Sequence, residues 1–194
     1  QELSYLKMQI HPHFLFNTLN TIYGFALKES KQTPDIILKL SNLLDYILYR
    51  VNKPKVSLFE EVNHIKEYIE LEKIRFEESL KITFSSGTID QNIQVAPMLL
   101  IPFVENAFKH GSHLDGYLQI NIRVNVDVNR LDFYIDNSFN KAKQPNSKRG
   151  IGLENIKKRL EMHYSDNYKP DIKTAGDLYK VQLTITNLNV VNHG

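Results

Sequence analysis

A chain of 194 residues with 24 basic and 22 acidic side chains has a net charge of only +2, which gives no electrostatic footprint for nucleic acid or an anionic membrane. With 42% hydrophobic and 24% charged residues it reads as a soluble globular protein, one ordinary domain or a small one plus a larger one. The absence of cysteine excludes a disulfide framework and Cys-ligated zinc, and fits a reducing cytosol. No apolar run approaches the ~18 residues of a membrane span, and no signal peptide is present. The first residue is Gln1 rather than Met, so the expectation is a piece cut from a longer protein.

In chain order, residues 2–28 read as one helix kinked at Pro12, where a backbone donor is missing. "TPD" announces a second helix, with Thr33 as its N-cap, Pro34 in the first turn and Asp35 at the positive end. Leu40, Leu43, Leu44, Ile47 and Val51 then follow the helical period until "NKP" at 52–54. A hairpin this small has too little core to stand alone, so dimerisation into a four-helix bundle is expected. Ser57 and Glu60 form a capping box for a helix running to about Phe76. "LKITF" (80–84) reads as a strand and "PMLLIPFVENAFKHG" (97–111) as a helix closed by Gly111. The alternation of 117–128 and of 130–136 predicts two half-buried strands turning at Asn129 and Arg130. Residues 137–149 are polar and contain a proline, a loop long enough to serve a function. "GIGLENIKKRLEMHY" returns to helix, and a final hairpin follows. The fold class expected is α+β: a helical hairpin, then an α/β two-layer sandwich.

The segment "QIHPHFLFNTLN" poses the first functional question. On a helical wheel His13, Asn17, Asn20, Thr21, Gly24 and Lys28 share an arc of roughly 100°. Apolar residues take the rest of the circumference, with only Thr18 among them. A helix of this kind is buried in a bundle with one strip left for solvent or a ligand. His11 and His13, or His110 and His113, could instead hold a metal, but they lack carboxylate or Cys partners at ligand spacing.

Further motifs point to a nucleotide. "VENAFKHG" puts Glu105, Asn106, Lys109 and His110 on one helix. A carboxamide oxygen such as that of Asn106 suits hydrated Mg²⁺, and Lys109 could reach phosphates from the same face. Asp136 ends a strand with a carboxylate able to accept a hydrogen bond from the amine of a base. "RGIGLENI" is a glycine pair opening a helix, where backbone N–H groups favour phosphate.

Taken together, these strings resemble the LytS/YehU-type sensor histidine kinases over nearly the whole chain. "QIHPHFLFNTLNTI" resembles that family's phosphoacceptor segment, "PFVENAFKHG" its N box, and "RGIGLENIKKRLEMHY" its glycine box with the following helix. "VSLFEEVNHIKEYIELEKIRFEE" resembles the segment between hairpin and catalytic domain. The resemblance implies a dimerising phosphotransfer hairpin (residues 1–53) and an ATP-binding domain of the gyrase–chaperone–kinase (GHKL, Bergerat) type (54–194). It implies His13 as phosphoacceptor, with Asn17 one turn on. It further implies ATP contacts at Asn106, Lys109, His110, Asp136, Gly150, Gly152 and Leu153, with Asn106 ligating Mg²⁺ and residues 137–152 forming the lid. The implied partners are a second copy and a response-regulator receiver domain, and the implied location is the cytoplasmic side of an inner-membrane-anchored bacterial protein. With Asp136 on the adenine amine, GTP is expected to compete poorly with ATP.

Two features depart from the pattern. His11 stands where the family usually has Asn, and no glycine of D-x-G-x-G follows Asp136. The second departure keeps a non-catalytic dimeric scaffold open. A gyrase- or chaperone-like ATPase would need a water-activating glutamate one turn before Asn106, where this chain has Pro102.

Overall fold

The computed structural model describes residues 12–50, 53–140 and 150–188. His11 and residues 141–149 of the expected lid lie outside the described residues, as does the helix expected before Pro12. The chain divides into two compact units, residues 1–54 with Val62–Glu77, and Lys55–Glu61 with 78–194. No helix among the described residues is long and apolar enough to cross a membrane.

The first unit holds helices α1 (Pro12–Leu27) and α2 (Thr33–Asp45), the latter prolonged by a wider turn over Tyr46–Arg50. To these it adds most of α3 (Leu58–Phe76). Phe14 stacks on Tyr68 at 4.7 Å between ring centroids, and Tyr46 on His64 at 4.1 Å. Ile36, Leu40 and Leu43 form the buried stripe of α2. Thr33 is the first helical residue rather than the cap: Gln32 holds that position, and the buried Thr33 hydroxyl has no partner among the described residues.

The apolar circumference of α1 splits in two. Phe14 is buried beside Thr18, whose hydroxyl donates to the Phe14 carbonyl at 2.9 Å. Phe16 (65%), Leu19, Tyr23 (65%) and Leu27 (67%) are instead exposed. Their spacing of three, four and four residues makes a second stripe.

His64 is 3% exposed, and its Nδ1 finds no partner among the described residues. Burial lowers its pKa from 6.5 to about 4. The neutral ring is the one that packs on Tyr46, so the unfolded chain binds the extra proton between those two values. Stability from this group is whole above pH 6.5 and declines as pH falls toward 4. At pH 5 the loss is about 2 kcal/mol. Urea denaturation at pH 7.5 and pH 5 should show that loss in the parent and not in His64→Phe.

The second unit is built on a five-stranded sheet ordered β2-β4-β5-β7-β6. The strands are β2 (Leu80–Ser86), β4 (Leu118–Asp127), β5 (Arg130–Ser138), β6 (Tyr168–Ala175) and β7 (Leu178–Ile185). β2 runs parallel to β4, and the other neighbours are antiparallel. Alternation decides which side is covered: Leu118, Ile120, Ile122 and Val124 on β4 are buried, as are Leu131, Phe133 and Ile135 on β5 and Val181, Leu183 and Ile185 on β7. Helix α4 (Ile101–His110) lies on that side, with Phe103 against Phe133 at 5.7 Å. Helix α5 (Gly150–Tyr164) ends at Tyr164, whose oxygen accepts the Ala96 N–H at 2.9 Å.

A short ribbon pairs β1 (Val56–Ser57) with β3 (Gln94–Val95). Ser57 caps α3, its Oγ accepting the Phe59 N–H at 3.2 Å. Glu61, fully buried, accepts N–H groups from Met98 (3.1 Å), Leu100 (2.9 Å) and Ile101 (3.4 Å). This carboxylate starts α4 at Ile101, so residues 97–100 form turns where helix was expected.

Gly111 closes α4 as expected, with an extended backbone (φ −61, ψ 150). Glycine is required there by space, because a Cβ would collide with Leu118 and the Ala107 carbonyl. Two other expectations shift. The β4–β5 hairpin turns at Val128 and Asn129, since Asp127 pairs with Arg130. Residues 137 and 138, expected in a loop, are the paired end of β5, opposite Tyr179 and Leu178. Phe139 continues inward, 2% exposed, with its N–H on the Asp177 carbonyl at 2.8 Å.

Candidate functional site

His13 is exposed in the first turn of α1, and the Asn17 amide nitrogen lies 3.1 Å from its Nδ1 and 3.4 Å from its Nε2. A carboxamide one turn away orients the ring through whichever tautomer it meets. Thr21 spends its hydroxyl on the Asn17 carbonyl at 2.9 Å, which leaves the Asn17 side chain to the histidine. The polar arc inferred from the wheel therefore brings two side chains together, His13 and Asn17.

On α4, Ile101, Phe103, Val104, Ala107 and Phe108 are buried. Asn106 and His110 are half-buried and Lys109 is exposed, so these three form the helix's accessible side. Glu105 is buried, unlike its neighbour Asn106. Pro102 occupies the first turn. Gly150, Gly152 and Leu153 fall in the first turn of α5, whose leading N–H groups have no intrahelical acceptor. Their side-chain surroundings lie outside the described residues.

Asp136 is placed differently from these. Phe133 faces α4, so the odd-numbered residues of β5 face the helices and Asp136 points to the opposite side of the sheet. There both carboxylate oxygens are engaged. Oδ1 accepts from the Asn121 amide at 2.7 Å and Oδ2 from the Tyr134 hydroxyl at 2.6 Å. Burial first, then the bond to Asp136, pushes the Tyr134 phenol up to about 12, so it stays protonated and donates. Arg123 lies over the Tyr134 ring at 4.5 Å. Asp136 is thus the centre of a polar cluster on the face away from α4.

Asn137, which the motif reading passed over, faces the helices instead. It is 3% exposed and stands in register with Ile120 on one side and Tyr179 on the other. Its Nδ2 lies 3.4 Å from where a Cβ on Gly111 would stand, so it sits at the C-terminal end of α4. The signal was available: Leu131, Phe133 and Ile135 set the odd positions inward.

Comparison with known proteins agrees with this architecture. Residues 1–80 match the family model described as histidine kinase. The chain is 30% identical over 179 residues to the sensor histidine kinase BtsS of Escherichia coli K12, covering 92% of this chain and 32% of BtsS. It is 35% identical over 125 residues to the sensor protein kinase HptS of Staphylococcus aureus USA300, covering 64% of this chain and 24% of HptS. The chain therefore spans a third or less of the curated relatives it matches. Among solved structures, the blue-light activated histidine kinase of Erythrobacter litoralis EL346 shares the fold with a TM-score of 0.53 at 12% identity, over 98% of this chain and 61% of that one. The family-model match over residues 1–80 and the 30% identity to BtsS across 92% of the chain place it in the histidine kinase family.

Proposed function

We propose that this chain is the kinase portion of a two-component sensor: a histidine accepts the γ-phosphoryl group of ATP and passes it to an aspartate on a response regulator. The observation that carries the reading is His13, exposed on the polar arc of α1 and held by Asn17, inside the segment that matches the family model. Residues 1–53 would serve as the dimerising phosphotransfer hairpin and 54–194 as the ATP-binding domain.

Bound Mg²⁺-ATP supplies the phosphoryl group. Phosphoryl transfer depends mainly on positioning and charge neutralisation, and the accessible side of α4 has the donors for both. The Asn106 oxygen suits a hard, hydrated cation, and Lys109 offers an exposed positive charge for phosphate. His110 adds an imidazole beside them, and the first turn of α5 (Gly150, Gly152, Leu153) offers backbone N–H groups.

The partners fitting this reading are a second copy of the chain and a receiver domain. The stripe Phe16, Leu19, Tyr23 and Leu27, with Ile37 and Leu38 on α2, is exposed apolar surface that a four-helix bundle would bury. The placement that fits is the cytoplasmic side of a membrane-anchored sensor. A second reading, a non-catalytic dimeric scaffold, draws on Ser138 and Asn140, which stand where D-x-G-x-G counted from Asp136 has its mobile glycines. Incubation with γ-labelled ATP and Mg²⁺ decides between them. The kinase reading expects label that is lost in acid and kept in base, as for a P–N bond, and none in EDTA. A protein that binds ATP yet takes no label supports the scaffold.

A further inference from the structure

We infer that Asn137, and not Asp136, is the residue that reads the nucleotide base, and that it reads an exocyclic amine through a neutral oxygen held in one orientation. The inference rests on the nucleotide-binding reading above and deepens it.

A base-reading side chain has three requirements. It must lie on the helix-covered side of the sheet, near the helix that carries Asn106 and Lys109, and it must have a polar atom to spare. Asp136 fails on the first two counts: its side chain is on the other face of the sheet, away from α4, where its oxygens hold Asn121 and Tyr134. Asn137 meets all three. It is at the end of α4, beside Gly111. It is a carboxamide among apolar neighbours in the strand register, Ile120 and Tyr179, where an unused polar group costs stability.

Its hydrogen bonds define what it can recognise. Nδ2 donates to the Ser138 carbonyl at 3.0 Å, and Oδ1 accepts no hydrogen bond among the described residues. The Ser138 carbonyl cannot itself move freely. Ser138 carries the Ser112 N–H on that carbonyl at 2.8 Å, and its hydroxyl donates to the Ser112 carbonyl at 2.6 Å. An amide flip would set Oδ1 against that oxygen, two acceptors facing each other. Asn137 therefore offers an acceptor only, which matches the 6-amino group of adenine and opposes the 6-carbonyl of guanine. Because the acceptor is neutral, discrimination is modest: ATP should bind roughly 2- to 12-fold more tightly than GTP, the range of one neutral hydrogen bond.

Titration calorimetry of the 194-residue protein with Mg²⁺-ATP and Mg²⁺-GTP tests this. In Asn137→Ala the preference should collapse to within about twofold, while in Asp136→Asn, which keeps an amide oxygen for Tyr134, it should be unchanged. Thermal melts report whether each variant folds. If Asn137→Ala does not, the Asp136→Asn arm still decides. Preference lost in Asp136→Asn, or equal binding of ATP and GTP by the parent, overturns the inference and leaves nucleotide binding standing. A parent that binds neither nucleotide overturns both.

Discussion

Asn106→Asp should abolish phosphorylation even at saturating ATP while leaving the protein folded. The two side chains have the same shape, and Asn106 is half-buried on the accessible side of α4, so no packing is lost. The charge is what changes. A carboxylate placed beside a triphosphate repels the group whose charge must be neutralised, and it alters the ligand that Mg²⁺ meets. Losing preorganised electrostatic stabilisation of this kind costs on the order of 10²- to 10³-fold in rate. Lys109, three residues on, would be drawn toward the new carboxylate and away from phosphate. Quantitative labelling at saturating nucleotide, with binding measured separately, checks this. A variant labelled within tenfold of the parent rate would show that Mg²⁺ is held elsewhere.

Leu19→Asp combined with Tyr23→Asp should convert a dimer into a monomer. Both side chains are exposed in the single chain, on the stripe that includes Phe16 and Leu27, so the substitutions remove nothing from the fold of one protomer. Fully burying one large apolar side chain contributes ~1.5–3 kcal/mol, and two per protomer are lost from both copies. Four unpaired carboxylates brought together at a bundle interface add desolvation and repulsion. Leu19 and Tyr23 are already partly covered in one protomer, so about half of the full sum remains, ~3–6 kcal/mol over four side chains. Self-association should therefore weaken by more than ~100-fold at 1.4 kcal/mol per decade. Light scattering should give twice the 22.6 kDa chain mass for the parent and the single mass for the variant. Circular dichroism should be unchanged between them. A parent that is monomeric at micromolar concentration would contradict the dimer.

Much of this was legible because periodicity reports burial. The alternation in 117–128 and 130–136 marked the two central strands, and the wheel of α1 brought His13 and Asn17 to one side, where they bond. The errors share a cause, long-range partners that local sequence cannot display. Glu61, some forty residues away, satisfies the N–H groups that begin α4 and delays the helix to Ile101. The wheel of α1 did not separate an inward face from a second apolar stripe, because the partner that Phe14 packs on, Tyr68, is more than fifty residues away. The Asp136 assignment followed the motif's letters; one further step of the alternation, two residues beyond Ile135, puts Asn137 on the helix side instead.

The central claim, that His13 receives phosphate from ATP, is tested most directly by locating the label. After incubation with γ-labelled ATP and Mg²⁺, the account predicts label on the peptide containing His13, lost in acid and kept in base. It predicts none in His13→Gln, and near-parental labelling in His11→Gln. Label that persists in His13→Gln, or that maps to a serine or tyrosine, would contradict it.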